Sequence, residues 1–509
     1  YMYRPYLNEI SAGKITDDEV LEYLELLRIK CTELTRAHAT FTESYLGGSI
    51  YQNMTLGGVD RYGRPAENQI SYLVLKAGIN VRTWQPTISV RWREDMSEDF
   101  KVAVTECIKA GSGYPAVFND TMGTQRFMEY TGANLDDARD WAPCGCVDMQ
   151  ICGKRMPMYS VPHTNNLKIF ELVMNNGVNP VTGDRLSDSK IDFESATFEQ
   201  IMEEYSRVMH NIIKREEDYW NAIMLVHNDL GLVHPIMSAL LDDCIEKGEH
   251  AYAGGCRYND PAYVISCGVI NVANSLAAIK KNVFEEKRFT LHELMEAIKA
   301  DFEGYDEIRK ALLDSPKYGN DDDYVDDVMV DYFRFICEET TKYKTTRSGR
   351  GPIGCIWQPS TSSVSSNVPC GECVGATPDG RKAGEALADT ASPTHGTDTK
   401  GITASLKSVG KLPTVLVSGG QLVNVKVMPA MLDGMMTRKM VQVLRTYLGN
   451  YKGMHVQINC VSADTLKAAQ VHPEEYKDLM VRVAGYSALF TPLDKALQDD
   501  IIARTEHSA

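Results

Sequence analysis

The chain alternates long amphipathic helices with short apolar strands, and this alternation limits its fold more than any other feature. Capping boxes predict helix starts at Thr16, Thr197 and Thr290, because each is followed by apolar residues at helical spacing. The strand candidates are short and apolar: residues 415–417, 423–427 and 455–461. Strands of this kind usually belong to sheets that are buried on both faces. The sequence therefore predicts an α/β fold with a barrel or a wound sheet.

The composition describes a soluble globular protein with a large core. The chain has 509 residues, of which 43% are hydrophobic and 24% are charged. Its formal net charge of −16 disfavours binding to nucleic acid or to an anionic membrane surface. No apolar run approaches the roughly 18 residues that a membrane span requires. Thirteen scattered cysteines fit a reducing environment, so we expect a cytoplasmic protein.

Near the C-terminus, residues 482–490 (RVAGYSALF) place Gly485 in an unusual setting. Apolar residues that favour a strand precede it, and the bulky Tyr486 and Phe490 follow it. No Asn, Asp or Pro adjoins it to make a turn. One interpretation is a glycine that interrupts a strand as a bulge. The other comes from resemblance, because the stretch is similar to the radical-bearing loop of glycyl radical enzymes, the superfamily of pyruvate formate-lyase. That resemblance makes Gly485 the residue that stores an unpaired electron on its Cα.

A second motif, residues 141–148 (WAPCGCVD), resembles the Gly-Cys-x-Glu loop of glycyl radical lyases. The resemblance makes Cys146 the thiyl residue that passes the radical to substrate, with Asp148 in place of Glu. In an extended loop, residues two positions apart point to the same side, so we expect Asp148 to share a cavity with Cys146. A buried carboxylate tends to have a raised pKa, which suits proton transfer. The alternatives are a buried structural cysteine and an aspartate that caps a turn.

The resemblance covers nearly the whole chain, with further similar stretches at residues 50–60, 271–281, 375–401 and 455–476. It implies a ten-stranded α/β barrel of two five-stranded halves with surrounding helices, and the cysteine and glycine loops inside. We expect the barrel to be incomplete at the N-terminus. Residues 1–375 are predicted to form the pyruvate formate-lyase-like barrel portion, and residues 376–509 the C-terminal glycyl radical domain.

The resemblance also implies the partners of the protein. No cofactor is expected to stay bound, and the radical on Gly485 is expected to be installed by a separate radical-SAM activating enzyme. We expect a homodimer that works under anaerobic conditions. A metal site is not expected, since Cys370 and Cys373 form the sole Cys-x-x-Cys pair and a zinc ribbon needs two.

Within the family, the cysteine loop points to the lyase branch. Pyruvate formate-lyase uses two adjacent cysteines, whereas Gly145 separates Cys144 from Cys146 here. The hydroxyarylacetate decarboxylases pair the thiyl cysteine with an acid two residues on, and they use a downstream histidine. His163 is the candidate for that histidine. The favoured hypothesis is therefore decarboxylation of an arylacetate such as 4-hydroxyphenylacetate. His163, Ser363 and Val364 are its predicted substrate contacts.

Two alternatives stay open. The first is a C–O or C–N eliminase of the diol, glycerol or hydroxyproline dehydratase or choline lyase type, in which Asp148 is the base. The second belongs to another class: a catalytically silent fragment or partner subunit. His163 can also be a structural histidine, because a lone histidine is more often a satisfied core residue than a ligand contact.

Overall fold

The computed structural model describes residues 2–34, 50–155, 162–230, 234–259, 262–345, 356–361 and 365–508. The chain forms two compact units. The first contains residues 1–152 and 422–509, and the second contains residues 153–421. The predicted boundary between residues 375 and 376 separates the barrel portion from the glycyl radical domain, which is a different division from that into compact units. It stays a prediction.

The first unit contains these α-helices among its described residues: Tyr3–Ser11, Asp17–Glu33, Gln69–Asn80, Glu98–Lys109, Asp120–Arg126, Leu135–Arg139, Met435–Arg445, Ala463–Val471 and Lys495–Ala503. The second unit contains Asn166–Met174, Phe198–Asp229, Pro235–Ala239, Cys244–Lys247, Val269–Ile279, Leu291–Lys299, Asp306–Leu313, Asp323–Thr340, Asn367–Glu372 and Ile402–Gly410. Within the described part of the chain, no helix is both long enough and apolar enough to cross a membrane.

The three predicted helix starts are confirmed. The hydroxyl groups of Thr16 and Thr290 each accept a hydrogen bond from the backbone N–H of the glutamate three residues later. The carboxylate of that glutamate accepts one from the threonine N–H. At Thr197, the backbone N–H donates to the Gln200 side chain at 2.9 Å, and the Gln200 N–H donates to the threonine hydroxyl at 3.3 Å. Each cap satisfies backbone donors that the first helical turn leaves unpaired.

The strands are numbered here in chain order: β1 Asn53–Gly57, β2 Thr87–Trp92, β3 Ala116–Asn119, β4 Trp141–Cys144, β5 Asp148–Ile151, β6 His163–Asn165, β7 Ala262–Cys267, β8 Trp357–Ser360, β9 Asn424–Val427, β10 His455–Cys460, β11 Met480–Arg482, β12 Ser487–Leu489 and β13 Glu506–His507. The strand predictions for residues 423–427 and 455–461 are confirmed as β9 and β10. The prediction for residues 415–417 is wrong, because Thr414–Leu416 is a short 3-10 helix. Pro413 precedes it and two glycines follow Ser418, and prolines and glycines of this kind interrupt regular strands.

The main sheet of the first unit has six strands in the order β1-β2-β3-β10-β9-β13. The strands β1, β2 and β3 run parallel to one another, and so do β10, β9 and β13. The two parallel sets meet antiparallel between β3 and β10, where His455 pairs with Phe118. The sheet is thus assembled from two parallel halves that come from opposite ends of the chain.

One face of this sheet is polar although it is buried. On β2, the polar residues Thr87, Ser89 and Arg91 alternate with apolar ones, and every residue of the strand is buried. The same alternation runs along β9 and β10. It places polar residues at Asn424, Lys426, His455, Gln457 and Asn459. Because successive side chains of a strand point to opposite faces, these residues share one side of the sheet. We call this side the polar face.

The second unit contains a smaller parallel sheet in the order β6-β7-β8. The helix Asn166–Met174 continues directly from β6, and the helix Val269–Ile279 follows β7. Every residue of Val269–Ile279 is buried, so this helix lies inside its unit. Strands followed directly by helices in a parallel sheet are the α/β pattern that the sequence predicts.

Candidate radical site

Gly485 lies at the tip of a β-hairpin. The strands β11 and β12 pair antiparallel, and the Val483 N–H donates to the Tyr486 carbonyl at 2.9 Å across the loop. Gly485 has φ +86°, a left-handed conformation that side chains rarely adopt. Tyr486 and Phe490 are fully buried and anchor the hairpin. Burial of a side chain of this kind contributes about 1.5–3 kcal/mol to the free energy of unfolding. Gly485 therefore forms the turn of this hairpin, although no neighbouring residue in the sequence predicted a turn.

Cys146 also lies at a hairpin tip. The strands β4 and β5 pair antiparallel with Cys144 opposite Asp148, so residues 145–147 form the loop. Gly145 takes φ +67° to close it. The expected extended loop is therefore wrong, because the chain reverses direction between Cys144 and Asp148. Asp148 is the first residue of β5, and its Oδ2 would lie 3.7 Å from a Cβ at Gly145, so the carboxylate folds toward the loop backbone.

The structure brings the two loop tips together. A Cβ added to Gly485 would lie 2.1 Å from the Cβ of Cys146 and 2.7 Å from its Sγ. Since a carbon–carbon bond is about 1.5 Å long, the Cys146 Sγ is no more than about 4.2 Å from the Gly485 Cα. Cys146 is 4% exposed and Ala484 is 1% exposed, so the contact is shielded from water. A hydrogen atom can pass between these two residues without a carrier.

Arg91 holds the base of the cysteine hairpin from the polar face. Its Nη1 donates to the Trp141 carbonyl at 2.7 Å, and its guanidinium lies 4.5 Å from the centre of the Trp141 ring. Asp120, which is 1% exposed, pairs with Arg91 and balances its buried charge. A buried ion pair of this kind needs further hydrogen bonds, and the Arg91 Nη2 also donates to the Arg139 carbonyl at 2.8 Å.

Arg482 lies three residues before Gly485 and is fully buried. Its Nε donates to the Gln457 side chain at 2.7 Å, and its Nη1 donates to the Ser487 hydroxyl at 3.5 Å. Both acceptors are uncharged. Burial lowers the pKa of Arg482 to about 10, and the nearby Cys146 and Tyr51 side chains oppose that shift. Arg482 therefore remains a cation at neutral pH, close to the cysteine.

Tyr51 completes the surroundings of the glycine hairpin. Its ring meets the Tyr486 ring edge-on, with the ring centres 5.5 Å apart, and its backbone has φ +57°. A positive φ in a large aromatic residue is uncommon and requires support from its neighbours. Tyr51 begins a stretch that the sequence marked as similar to the family, but its place beside the glycine was not predicted.

His163, the predicted substrate contact, lies on β6 in the second unit. Its Nδ1 is 2.7 Å from the Ser366 hydroxyl. The imidazole has access to solvent, yet the protein atoms around it lower its pKa below the ordinary value through partial desolvation. On the same strand, Thr164 donates to Glu216 at 2.5 Å, and burial raises the pKa of that carboxyl. Ser363 and Val364, the other predicted contacts, lie outside the described residues.

Asn459 and Arg504 also contact the glycine hairpin, through the carbonyls of Arg482 and Val483. The sequence predictions missed the site residues around this hairpin, namely Tyr51, Gln457, Asn459, Arg482 and Arg504. A signal for two of them was present. In β10, a polar residue stands at every second position of an apolar strand, at His455, Gln457 and Asn459. A strand that buries polar groups on one face must give each of them a partner, so such a pattern indicates a site.

Two family models match the chain. The pyruvate formate lyase-like model covers residues 1–371, and the glycine radical model covers residues 387–491. The probable dehydratase YbiW of Escherichia coli is 37% identical over all of this chain (100%) and 64% of its own length. The indoleacetate decarboxylase of Tractidigestivibacter scatoligenes is 35% identical over 99% of this chain and 60% of its own length. The chain thus spans less than two thirds of the length of these relatives.

Solved structures agree with the sequence relatives. A structure from work on 1,2-propanediol dehydration in Roseburia inulinivorans has a TM-score of 0.94 and 36% identity, over 100% of this chain and 64% of that one. The predicted α/β fold and the predicted family are both confirmed. This chain belongs to the glycyl radical enzyme family, with a pyruvate formate lyase-like portion followed by a glycine radical portion.

Proposed function

We propose that this chain performs thiyl-initiated radical lyase chemistry on a small organic substrate. The observation that carries the proposal is the contact between Cys146 and Gly485. A glycyl radical stores an unpaired electron on carbon. To pass the radical on, it needs a hydrogen-atom donor beside it. Cysteine suits this role, because its S–H bond is about as weak as the glycine Cα–H bond. Hydrogen can therefore move in either direction at little cost.

The proposed cycle is neutral in electrons. The Gly485 radical takes the hydrogen atom of the Cys146 thiol, which leaves a thiyl radical on sulfur. The thiyl takes a hydrogen atom from a substrate carbon, and a neighbouring bond of the substrate radical breaks. The product radical then takes the hydrogen atom back from Cys146, and the thiyl recovers one from the Gly485 Cα. Shielding from water protects the glycyl radical between turnovers and the thiyl radical during turnover.

Asp148 is the proposed proton acceptor and donor. Asp148 is 5% exposed. It is the first residue of β5 and belongs to the same hairpin as Cys146. In a decarboxylation, the Cys146 thiyl takes one electron from the substrate carboxyl group instead of a hydrogen atom from carbon, and it becomes a thiolate. Asp148 takes the carboxyl proton that is lost with this electron, and it returns the proton to the thiolate after carbon dioxide has left. In an elimination it takes the proton of the substrate hydroxyl or delivers one to the leaving group. General acid–base catalysis of this kind contributes about 10²–10⁴-fold to a rate.

The first candidate reaction is decarboxylation of an arylacetate such as 4-hydroxyphenylacetate or indoleacetate. The acid two positions after Cys146 supports it, and so does the similarity to an indoleacetate decarboxylase. Carbon dioxide leaves the substrate radical, and Cys146 returns a hydrogen atom to the arylmethyl product. His163 is proposed as a substrate contact in this reaction.

The second candidate, a C–O or C–N elimination, has one observation in its favour. The lowered pKa of His163 makes its imidazole neutral at pH 7, so it offers a hydrogen bond and no positive charge. A neutral imidazole suits a substrate hydroxyl better than a carboxylate. The similarity to a probable dehydratase and to a structure from work on propanediol dehydration points the same way.

The radical itself is proposed to be installed by a radical-SAM activating enzyme, in an anaerobic cytoplasm and on a homodimer. The alternative of another class is a silent subunit that never carries a radical. Anaerobic activation followed by electron paramagnetic resonance separates the two hypotheses. The enzyme gives a doublet, which arises from the remaining α-hydrogen of Gly485, and Gly485→Ala gives none. A parent chain without a doublet, under conditions that activate a family relative, would overturn the proposal.

The substrate class is tested on the activated protein. One set of assays offers 4-hydroxyphenylacetate and indoleacetate and measures carbon dioxide. The other offers propane-1,2-diol, glycerol, trans-4-hydroxy-L-proline and choline, and measures aldehyde, dehydrated product or amine. Release of water or amine without carbon dioxide excludes the decarboxylase. Carbon dioxide from an arylacetate with no reaction of the other substrates excludes the eliminase.

A further inference from the structure

The strand β11 leads into Gly485 and pairs with β12. Other backbone groups of this strand, which a further strand would bind through its own backbone, bind side chains instead. The Arg482 N–H donates to the Asn459 Oδ1 at 2.7 Å, and the Asn459 Nδ2 donates back to the Arg482 carbonyl at 2.7 Å. One carboxamide thus satisfies both backbone groups of Arg482. Asn459 is 3% exposed and stands on the polar face of the sheet, on β10.

A second side chain reaches the same strand from the C-terminal end of the chain. The Arg504 Nη1 donates to the Val483 carbonyl at 2.9 Å and to the Arg482 carbonyl at 3.3 Å. Its Nη2 donates to Asp500 at 3.1 Å, which fixes the guanidinium plane. Arg504 is 6% exposed and Asp500 is 3% exposed, so water does not compete for these bonds.

A third contact supports the other two. The Asn424 Nδ2 donates to the Val483 carbonyl at 3.3 Å, and Gln457 donates to the Asn424 side chain. Asn424 and Gln457 pair across β9 and β10, so the contact extends the polar face toward the loop. We name Asn424, Asn459 and Arg504 together the carbonyl clamp.

The clamp acts on the residues that set the position of Gly485. Arg482 and Val483 are the last two residues before Ala484 and the radical glycine. A displacement of these carbonyls moves the Gly485 Cα relative to the Cys146 sulfur. Hydrogen transfer is steep in distance, and a misplacement of about 1 Å costs about 10²-fold in rate. A reacting pair therefore needs supporting side chains that are themselves locked by hydrogen bonds.

We propose that Asn459 and Arg504 are positioning residues for hydrogen transfer: through the carbonyls of Arg482 and Val483, they hold Gly485 at transfer distance from Cys146. This inference rests on the proposed function, since it assumes that the radical forms on Gly485. It assigns the clamp to the transfer step between glycine and cysteine. It does not assign the clamp to formation of the radical or to general folding.

The experiment measures the transfer step directly. The protein is equilibrated in D₂O before it is activated there without substrate, so that slow exchange of the shielded Cys146 thiol does not limit the signal, and the doublet is then followed in time. The Cys146 thiol exchanges its proton for a deuteron and passes a deuterium atom to the Gly485 radical. The thiyl then takes the original hydrogen atom back, which leaves a deuterated glycyl radical. Because the deuterium coupling is much smaller, the doublet collapses to a single line, and the rate of collapse reports the transfer.

The principal variant is Asn459→Asp, which keeps the shape and the acceptor of the side chain but loses the donor to the Arg482 carbonyl. The second variant is Arg504→Lys, which keeps the charge beside Asp500 but loses the planar fork. The matched control is Asn320→Asp in the second unit. Asn320 is also buried, and its Nδ2 donates to the Lys317 carbonyl at 3.0 Å and to the Thr397 carbonyl at 2.8 Å.

We expect both clamp variants to form the doublet in an amount similar to the parent, with a collapse about 10- to 100-fold slower. The Asn320→Asp control collapses at the parent rate. Clamp variants that collapse as fast as the parent overturn the inference. Folded clamp variants that give no doublet also overturn it, because the clamp then serves radical formation. If Asn459→Asp does not fold, Arg504→Lys decides. A parent chain without any doublet refutes the proposed function instead, so the two failures are distinct.

Discussion

The side chain of Cys146 occupies the space that a side chain at Gly485 would need. A Cβ at Gly485 would overlap the cysteine Cβ at 2.1 Å, and the glycine backbone has φ +86°. Three requirements therefore meet at this residue: a left-handed turn, close approach to the cysteine, and a Cα–H that can be lost and regained. The first two requirements hold whether or not the radical forms. Stability and radical chemistry must consequently be measured separately in any variant of Gly485.

Gly485→Ala is expected to destabilise the fold as well as abolish the radical. The left-handed backbone costs about 1–2 kcal/mol for alanine, and the overlap with Cys146 adds about 1–3 kcal/mol. Gly384→Ala is the matched control, since Gly384 has φ +77° and nothing lies within 4 Å of an added Cβ. Thermal unfolding should therefore show a clearly larger loss for Gly485→Ala. Equal losses would mean that the hairpin tips separate easily.

Cys146→Ser is expected to keep the doublet but to stop its collapse in D₂O and to abolish turnover. An alcohol O–H bond is much stronger than a thiol S–H bond, so serine cannot return hydrogen to the glycyl radical. Cys144→Ser is the matched control, because Cys144 is exposed two residues earlier in the same hairpin. The control should keep both collapse and turnover. Collapse in Cys146→Ser would assign the transfer to another residue.

Asp148→Asn is expected to separate hydrogen transfer from proton transfer. The amide keeps the shape of the side chain but cannot accept a proton at neutral pH, so turnover should fall by about 10²–10⁴-fold. The doublet and its collapse in D₂O should remain, because that step needs only Gly485 and Cys146. Asp148→Glu retains a proton acceptor and should keep more activity than Asp148→Asn. Full activity in Asp148→Asn would leave Asp148 with a structural role.

His455 is expected to make the fold less stable as the pH falls below 6.5. Its ring is fully buried, and burial together with the nearby Arg482 lowers its pKa well below the ordinary value. Between pH 6.5 and 5 the unfolded chain binds more protons at this residue than the folded chain does. The free energy of unfolding therefore falls with decreasing pH, by up to about 1.4 kcal/mol for each pH unit from this group.

The measurement is the thermal midpoint of the parent and of His455→Gln across that pH range. The His455 Nδ1 accepts the Val423 N–H at 3.2 Å, and glutamine offers an acceptor in its place. His455→Gln has a lower midpoint at pH 7 but a flatter dependence on pH. Parallel curves for the two proteins would mean that His455 takes up its proton in the folded state as readily as in the unfolded one.

The predictions from the sequence succeeded where a local pattern decides the structure. Capping boxes located three helix starts, and apolar runs located β9 and β10. They failed where short segments depend on their surroundings. Residues 415–417 have strand-like side chains but fold as a 3-10 helix, and the cysteine loop, expected to be extended, is a hairpin. Pro413 and two glycines bound the first segment, and Gly145, with φ +67°, turns the second, so these residues outweigh side-chain preference.

The sequence by itself determined the family and the pair Gly485 and Cys146, because each motif carries its own residue types in fixed order. The tertiary structure alone decided that the two hairpin tips touch, since no local rule relates residues so far apart in the chain. It also decided which side chains hold the glycine strand. Asn459 comes from a sheet strand and Arg504 from the C-terminal helix end. Only folding brings the Asn459 donor to the Arg482 carbonyl and the Arg504 donors to the carbonyls of Arg482 and Val483.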